Sequence, residues 1–215
     1  ANPTGKMHMG NARGGALGDC LVSVLKKAGY DAYSEFYVND AGNQIEKFGL
    51  SLDIRYQQHF KGENTPEMPE DSYHGQDIIE RVEEFIEING DKYLDSSESD
   101  RRKALIDYAL PKNIEKMQND LKKYRIVYDT WFYESSLYKS GELEETIQIM
   151  KDKGLTYEKD GALWYRATDF GGEKDEVLIR ANGNSTYFAA DIAYHRNKFL
   201  KRNFERVIDV WGADH

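Results

Sequence analysis

The sequence predicts an α/β protein: a doubly wound parallel sheet that carries a helical insertion and a small antiparallel β insertion. Three observations lead there. A turn-rich opening, "NPTGKMHMGN", runs into a helical pattern and then a strand; charged amphipathic helices interrupt that alternation; short alternating strands follow before strand and helix return. A loop, a helix and a strand in that order make half of a doubly wound, Rossmann-like nucleotide-binding unit.

The elements follow in order. In "ARGGALGDCLVSVLKKAG" the apolar residues Ala12, Ala16, Leu17, Cys20, Leu21, Val24 and Leu25 keep the spacing of one helix face, and Gly29 supplies the stop. "DAYSEFYVND" is aromatic and β-branched, which predicts a strand ending at Asn39 and Asp40. "GNQIEKFGLSLDIRYQQHF" reads as a helix, and the segment after it, with Pro66 and Pro69, as a loop. Further helices are expected around Gln76 to Ile88 and Arg101 to Lys123. "RIVYDTWFYESS" returns to strand character, and the helix in "SGELEETIQIMKDKG" is expected to start from Ser140 as N-cap and close on Gly154. "ALWYRATDFGG" and "DEVLIRANG" alternate like two antiparallel strands. The chain then reads as a short strand at "TYFAAD", a helix from about Ala190 to Lys201 and a strand at "RVIDVWG".

Composition narrows the classes. With 40% apolar and 13% aromatic residues in 215, the chain is long and apolar enough for a real core. No apolar run approaches the length that crosses a bilayer, and no signal peptide is present, so a soluble, cytoplasmic protein without membrane contact is expected. The net charge of −9 argues against bulk attraction to nucleic acid. Short basic clusters at Arg101-Arg102-Lys103, Lys122-Lys123 with Arg125, and Lys198 with Lys201-Arg202 read as ordinary solvated faces. The lone Cys20 cannot form an internal disulfide and reads as a small buried residue on a helix face. His59, His74 and His195 lack spacing that suggests a metal site, and no metal site is expected. Met7 and Met9 read as packing residues.

The opening loop carries the chemistry. A Pro- and Gly-rich loop leading into a helix places unpaired backbone N–H groups and the positive end of the helix dipole where a phosphate docks. His8 adds a donor, and Gly10 removes the Cβ that would hold a flat base or sugar away from the backbone. The competing reading is a turn with a satisfied surface histidine. Local spacing does not choose between them.

The wider sequence resembles a family. "ANPTGKMHMGN" is similar to the first signature of class I aminoacyl-tRNA synthetases, His-x-Gly-His/Asn, in the extended form of the arginyl-tRNA synthetases. "YVNDAGNQI" from Tyr37, "DGALWYRATDFG" from Asp160, "TYFAADIAYH" from Thr186 and the terminal "DVWGADH" match the same subfamily in the same order. Asn11 stands where many class I enzymes have histidine and still donates to a phosphate or ribose. The strand that precedes the first signature in the family and its Lys-Met-Ser-Lys-Ser loop are not found here, so the chain is expected to be a catalytic-domain fragment. Such a fragment is expected to bind ATP weakly and to be inactive alone.

The resemblance implies ATP-dependent activation of L-arginine and its transfer to tRNA(Arg), with Mg2+ accompanying the ATP and a monomer as the acting form. By the same resemblance His8 and Asn11 are catalytic donors, and His8, Gly10 and Asn11 bind the nucleotide. Asn2, Tyr187, Asp191 and His215 face the amino acid. Tyr187 and Asp191 read the guanidinium, Asp191 by accepting two hydrogen bonds and Tyr187 by its hydroxyl or ring face. The reading that competes for this pair has Asp191 capping the helix and Tyr187 filling core. Asn39, Asp40 and Gln44 belong to a motif at a strand's carboxyl end, where local hydrogen bonding near the pocket is expected. The division expected is residues 1–50 as the first part of the Rossmann-like core, 51–120 as the helical insertion and 121–155 as a core strand and helix. Residues 156–183 form the β insertion, and 184–215 a strand, helix and strand bearing the amino-acid pocket. Two other functions stay open: a different adenylate-forming nucleotidyltransferase, against which a carboxylate aimed at the substrate tail argues, and a non-catalytic binding module.

Overall fold

The computed structural model describes residues 2–62 and 65–212. They divide into two compact units, Ala1–Phe132 with Val210–His215, and Tyr133–Asp209.

In the first unit the opening loop enters α1 (Met9–Lys27), followed by β1 (Glu35–Val38), α2 (Asn43–Lys61), α3 (Gln76–Asn89), α4 (Glu98–Lys123) and β2 (Thr130–Tyr133, its last residue opening the second unit). Strands β1 and β2 are hydrogen-bonded neighbours. Their junction is tied by Asp129, whose carboxylate accepts from the Ser34 N–H at 2.8 Å and from Lys26 Nζ at 3.2 Å. The Ser34 N–H and then Lys26 hold that carboxyl below its ordinary value, against the opposing effect of burial. Aromatic faces close the pairing, with Phe36 stacked on Trp131 at 4.5 Å between ring centroids.

Helices α2, α3 and α4 pack on one another and build the core of Phe48, Leu52, Tyr56, Ile78, Val82, Phe85, Leu105 and Ala109. α4 continues through Pro111, which gives up one ladder hydrogen bond. The cluster encloses a charge. Asp53, 1% exposed, accepts from Arg101 through two guanidinium nitrogens, while Arg101 Nη1 donates to the Ser96 carbonyl at 3.0 Å. Arg102 Nε stands 3.4 Å from the second Asp53 oxygen.

In contrast, α1 buries only Gly15 in this chain. Leu17 and Val24 are 63% and 64% exposed, Met9 is 71% exposed, and Cys20 is exposed too. The packing roles expected for Met9 and Cys20 are therefore corrected: the apolar stripe is present and its Ala12, Leu21 and Leu25 are half-buried, but Met9, Leu17, Cys20 and Val24 stay exposed.

The second unit contains α5 (Ser135–Lys139), α6 (Glu142–Asp152), β3 (Thr156–Lys159), β4 (Ala162–Tyr165), β5 (Glu176–Ile179) and α7 (Tyr187–Arg196), which ends in a π-helical turn, Asn197–Lys201. The sheet order is β3-β4-β5, antiparallel throughout, so one strand joins the two read from sequence. Asp160 and Gly161, both at positive φ, make the two-residue turn between β3 and β4.

Three local readings are corrected. "TYFAAD" is helix: Thr186 Oγ1 accepts from the Ala189 N–H and donates to the Val177 carbonyl at 2.6 Å, which starts α7 at Tyr187. α6 is capped at Gly141, in the left-handed conformation, because Ser140 closes α5. Residues 205–212 form no strand among the described residues.

Replacing Arg101 by Met keeps much of its volume but leaves the Asp53 carboxylate buried without its charged partner, held only by Gln57 Nε2 at 3.1 Å and the longer Arg102 contact. Breaking a buried pair from one side costs about 3–5 kcal/mol. Urea unfolding of the Arg101→Met protein should show a loss of that order, and an unchanged midpoint would show that the pair contributes nothing.

Candidate functional site

The opening loop is held from both sides within the first unit. Pro3 and Thr4 are buried. Asn39, just after β1, donates from Nδ2 to Asn2 Oδ1 at 2.9 Å, which is the local bonding expected of that motif. Asn39 Oδ1 is buried and has no hydrogen-bond partner among the described residues. Gln44 accepts from the Tyr73 hydroxyl and thereby fixes the start of α2.

The loop ends at His8, which is the N-cap of α1 with extended backbone, φ −110° and ψ 174°. The capping is reciprocal. The Gly10 N–H donates to His8 Nδ1 at 3.1 Å, and the His8 N–H donates to Asn11 Oδ1 at 3.1 Å. These two bonds fix chemistry that the residue names leave open. A neutral imidazole accepting at Nδ1 carries its proton on Nε2, and an amide accepting at Oδ1 has its NH2 group left to donate. Both side chains therefore present donors at the start of a helix whose first turn contains no acidic residue. An anion is the ligand such a surface suits.

Gly10 serves this arrangement directly. A Cβ there would lie 2.9 Å from His8 Cε1 and 3.0 Å from Nδ1, so any larger residue displaces the capping ring. The sequence suggests a cradle for a base or sugar; the structure adds a contact inside the chain.

In the second unit, Tyr187 and Asp191 occupy the first and second turns of α7. Residues four apart on a helix lie on one face, with Cβ atoms about 5–6 Å apart. Thr186, not Asp191, caps α7, and Tyr187 is 40% exposed, so the competing view of a capping aspartate and a core tyrosine does not describe this pair. One buried carboxylate of this unit escaped the sequence reading. Glu134, 1% exposed, accepts at Oε1 from the Tyr138 hydroxyl at 3.2 Å, and Tyr138 in turn accepts from Ser185 Oγ at 3.4 Å. Burial pushes the Tyr138 hydroxyl up, and the charge of Glu134 and the nearby Tyr187 add to it, so these groups share one neighbourhood. "FYES" gave no periodic or motif signal for a buried carboxylate.

Behind them, His195 Nδ1 lies 2.8 Å from the Asp191 backbone oxygen and its Nε2 lies 2.9 Å from Asp209, which also accepts from Lys198 Nζ at 2.8 Å. Burial pulls the Asp209 carboxyl up, but the hydrogen bonds from Lys198 and His195 outweigh it and hold the group below its ordinary value. His195 is thus structural. His215 lies outside the described residues. Among the described residues no three His, Cys, Asp or Glu side chains gather closely enough to hold a metal ion.

Comparison with known proteins gives a consistent answer. The family model of class I (R) tRNA synthetase catalytic domains matches residues 1–214. The chain is 63% identical to arginine–tRNA ligases of Acetivibrio thermocellus and Caldanaerobacter subterraneus over all 215 residues, which are 38% of each relative. Among solved structures, a putative arginyl-tRNA synthetase from Campylobacter jejuni superposes with a TM-score of 0.87 at 38% identity, covering all of this chain and 46% of that one. The arginyl-tRNA synthetase of Thermus thermophilus, 23% identical, shares the fold with a TM-score of 0.61 over 93% of this chain and 34% of its own. The α/β class read from the sequence is the class of these neighbours.

Gly10→Ala tests the cap itself. The added methyl should drive the His8 ring out, lower stability by about 1 kcal/mol and speed exchange of the residue-10 amide. Unchanged exchange would mean that the ring does not cap α1.

Proposed function

Since the chain belongs to the class I (R) tRNA synthetase catalytic-domain family, we propose that it is part of an arginine–tRNA ligase, which joins L-arginine to tRNA(Arg) with ATP through arginyl-adenylate. The chain spans 38% of the length of the curated relatives it matches, so the reaction is that of the whole protein. The observation that carries the reading is the reciprocal cap, which commits His8 and Asn11 to donation at an acid-free helix start.

In the first step a carboxylate oxygen of arginine attacks the α-phosphorus of ATP and pyrophosphate leaves. In the second, a terminal ribose hydroxyl of the tRNA attacks the arginyl carbonyl and AMP leaves. Neither step needs a protein nucleophile; both need alignment and neutralisation of charge on phosphoryl oxygens. The Nε2–H of His8 and the amide of Asn11 are the donors assigned to that role in this reading. Gly10 keeps the backbone open toward the adenosine while leaving the His8 ring in place. Mg2+ arriving with the nucleotide would neutralise phosphate charge. No acidic cage for it exists among the described residues, so phosphate oxygens and water would be its ligands.

Asn2, held by Asn39, is assigned to the α-groups of arginine on the family resemblance, and Asn39 Oδ1, without a hydrogen-bond partner among the described residues, suits an ammonium donor. His215 is assigned a substrate-facing place on the family resemblance. Asp191 and Tyr187 take the guanidinium, with Glu134, which like Tyr187 acts on the Tyr138 hydroxyl, adding negative charge in the same unit. Action as a cytoplasmic monomer belongs to the same reading; no helix among the described residues is long and apolar enough to cross a membrane.

A hydrogen bond to a charged group contributes about 1.5–3 kcal/mol, and leaving its partner unpaired costs comparably. Asp191→Asn in the full-length enzyme should therefore lower kcat/KM for arginine on the order of a hundredfold, with KM for ATP little changed. Citrulline, neutral and nearly isosteric, should be rejected by the parent. Arginine kinetics unmoved by the substitution would remove Asp191 from the pocket.

A further inference from the structure

In the opening loop the buried Pro3 has its main-chain carbonyl satisfied by a side chain. Its partner comes from 110 positions along the chain: Asn113, on α4 and 8% exposed, donates from Nδ2 to Pro3 O at 2.9 Å. The other end of the same amide accepts from Arg81 Nε, on α3, at 2.8 Å. A carbonyl only accepts and a guanidinium only donates, so the two contacts admit one orientation of the Asn113 amide. Arg81 is itself held. Its Nη1 donates to both oxygens of Glu84 at 2.8 Å, and Glu84 also accepts from Lys112 Nζ at 3.1 Å. Burial pulls the Glu84 carboxyl up, but the bonds from Lys112 and Arg81 prevail and hold it below its ordinary value, which keeps it an acceptor near neutrality.

A second contact holds the same stretch of loop. Lys6 pairs with Glu80 on α3 at 3.4 Å, and Gly5 passes so near α3 that a Cβ there would stand 3.2 Å from Asp77 Oδ2. Five residues beyond Pro3 the loop delivers His8 to its cap. A shift at Pro3 is therefore passed to the donors of His8 and Asn11 through a short tether of fixed backbone.

We propose that Asn113, oriented by Arg81, is a positioning residue for the nucleotide loop, so that α3 and α4 set the placement of the His8 donor as well as forming a helical core. The reading rests on the function proposed above in its kinetic consequence, and on the geometry alone in its effect on the loop. It assigns to the helical cluster a role in activation that requires no contact with substrate.

The test uses the full-length enzyme. Asn113→Asp keeps an acceptor for Arg81 and replaces the donor to Pro3 with a repelling oxygen, so it cuts the relay at one bond. Hydrogen–deuterium exchange should accelerate on the order of tenfold over residues 2–12 while residues 98–110 of α4 keep parent protection, and kcat/KM for ATP should fall on the order of tenfold. Arg81→Met, which leaves Asn113 in place but frees its orientation, should give the same pattern at about threefold, and it decides the matter should Asn113→Asp not accumulate folded. Lys103→Gln, which removes only an exposed pair with Asp107 on α4, should change neither. Loop exchange at the parent rate in both variants would overturn the proposal. So would loss of ATP use accompanied by equal acceleration across α4, which is a folding defect. A parent enzyme that does not charge tRNA(Arg) would defeat the proposed function, and the exchange of residues 2–12 would still decide the relay.

Discussion

The first N–H groups of any helix have no carbonyl of their own to bond, and how this chain answers that constraint at α1 determines the rest of the site. A serine or aspartate cap would have satisfied one N–H and left a hydroxyl or a negative charge at the helix start. His8 satisfies the Gly10 N–H with the one ring nitrogen that cannot donate, and Asn11 returns the bond to the His8 N–H with the one amide atom that cannot donate. What remains outward is donor on both residues. The glycine at position 10 is required because the ring folds back over it.

The same economy appears in the helical cluster. Its buried Asp53–Arg101 pair adds little net stability over an apolar pair of the same size, because desolvating two charges offsets their attraction. It does restrict how α2 and α4 can pack, since every guanidinium donor needs a partner and the Ser96 carbonyl and Asp53 are where those partners stand. A cluster with one packing is what allows Asn113 to meet Pro3 at hydrogen-bond distance. In the second unit the salt-bridged pairs Arg196–Glu145 and Lys198–Asp209 do similar work at the end of α7, where the helix widens into its π turn.

Much of this was legible from the sequence, and the exceptions have physical causes. α2, α3 and α4 were legible as helices, α3 and α4 because each is amphipathic, and the glycines at 42, 75 and 90 mark the start of α2 and both ends of α3. α7 was misread at its start because "TYFAAD" has β-favouring residues first; the Thr186 cap and the alanines at 189, 190 and 193, buried against neighbours, override that local preference. β3 was missed although Asp160-Gly161, a strong hairpin signal, stood between it and β4. Cys20 was assigned to a buried helix face because its spacing was amphipathic, and Met9 to packing because of its residue type; neither signal reports what covers the side chain. Of the candidate site, His8, Gly10 and Asn11 were visible as a motif, but the tautomer and amide orientation depend on distances no sequence carries. Glu134 and Asn113 were invisible for the same reason: a single buried polar residue leaves no period and no spacing.

The central claim is that the cap turns His8 into an Nε2 donor aimed at an anionic ligand, and imidazole nitrogen chemical shifts of selectively 15N-labelled His8 in the full-length protein test it most directly. The Nε2–H tautomer is expected in the free protein, with Nδ1 unprotonated, and a change at Nε2 larger than that at Nδ1 when ATP is added. A ring protonated at Nδ1 with Nε2 bare, or one whose shifts ignore saturating ATP, would contradict it.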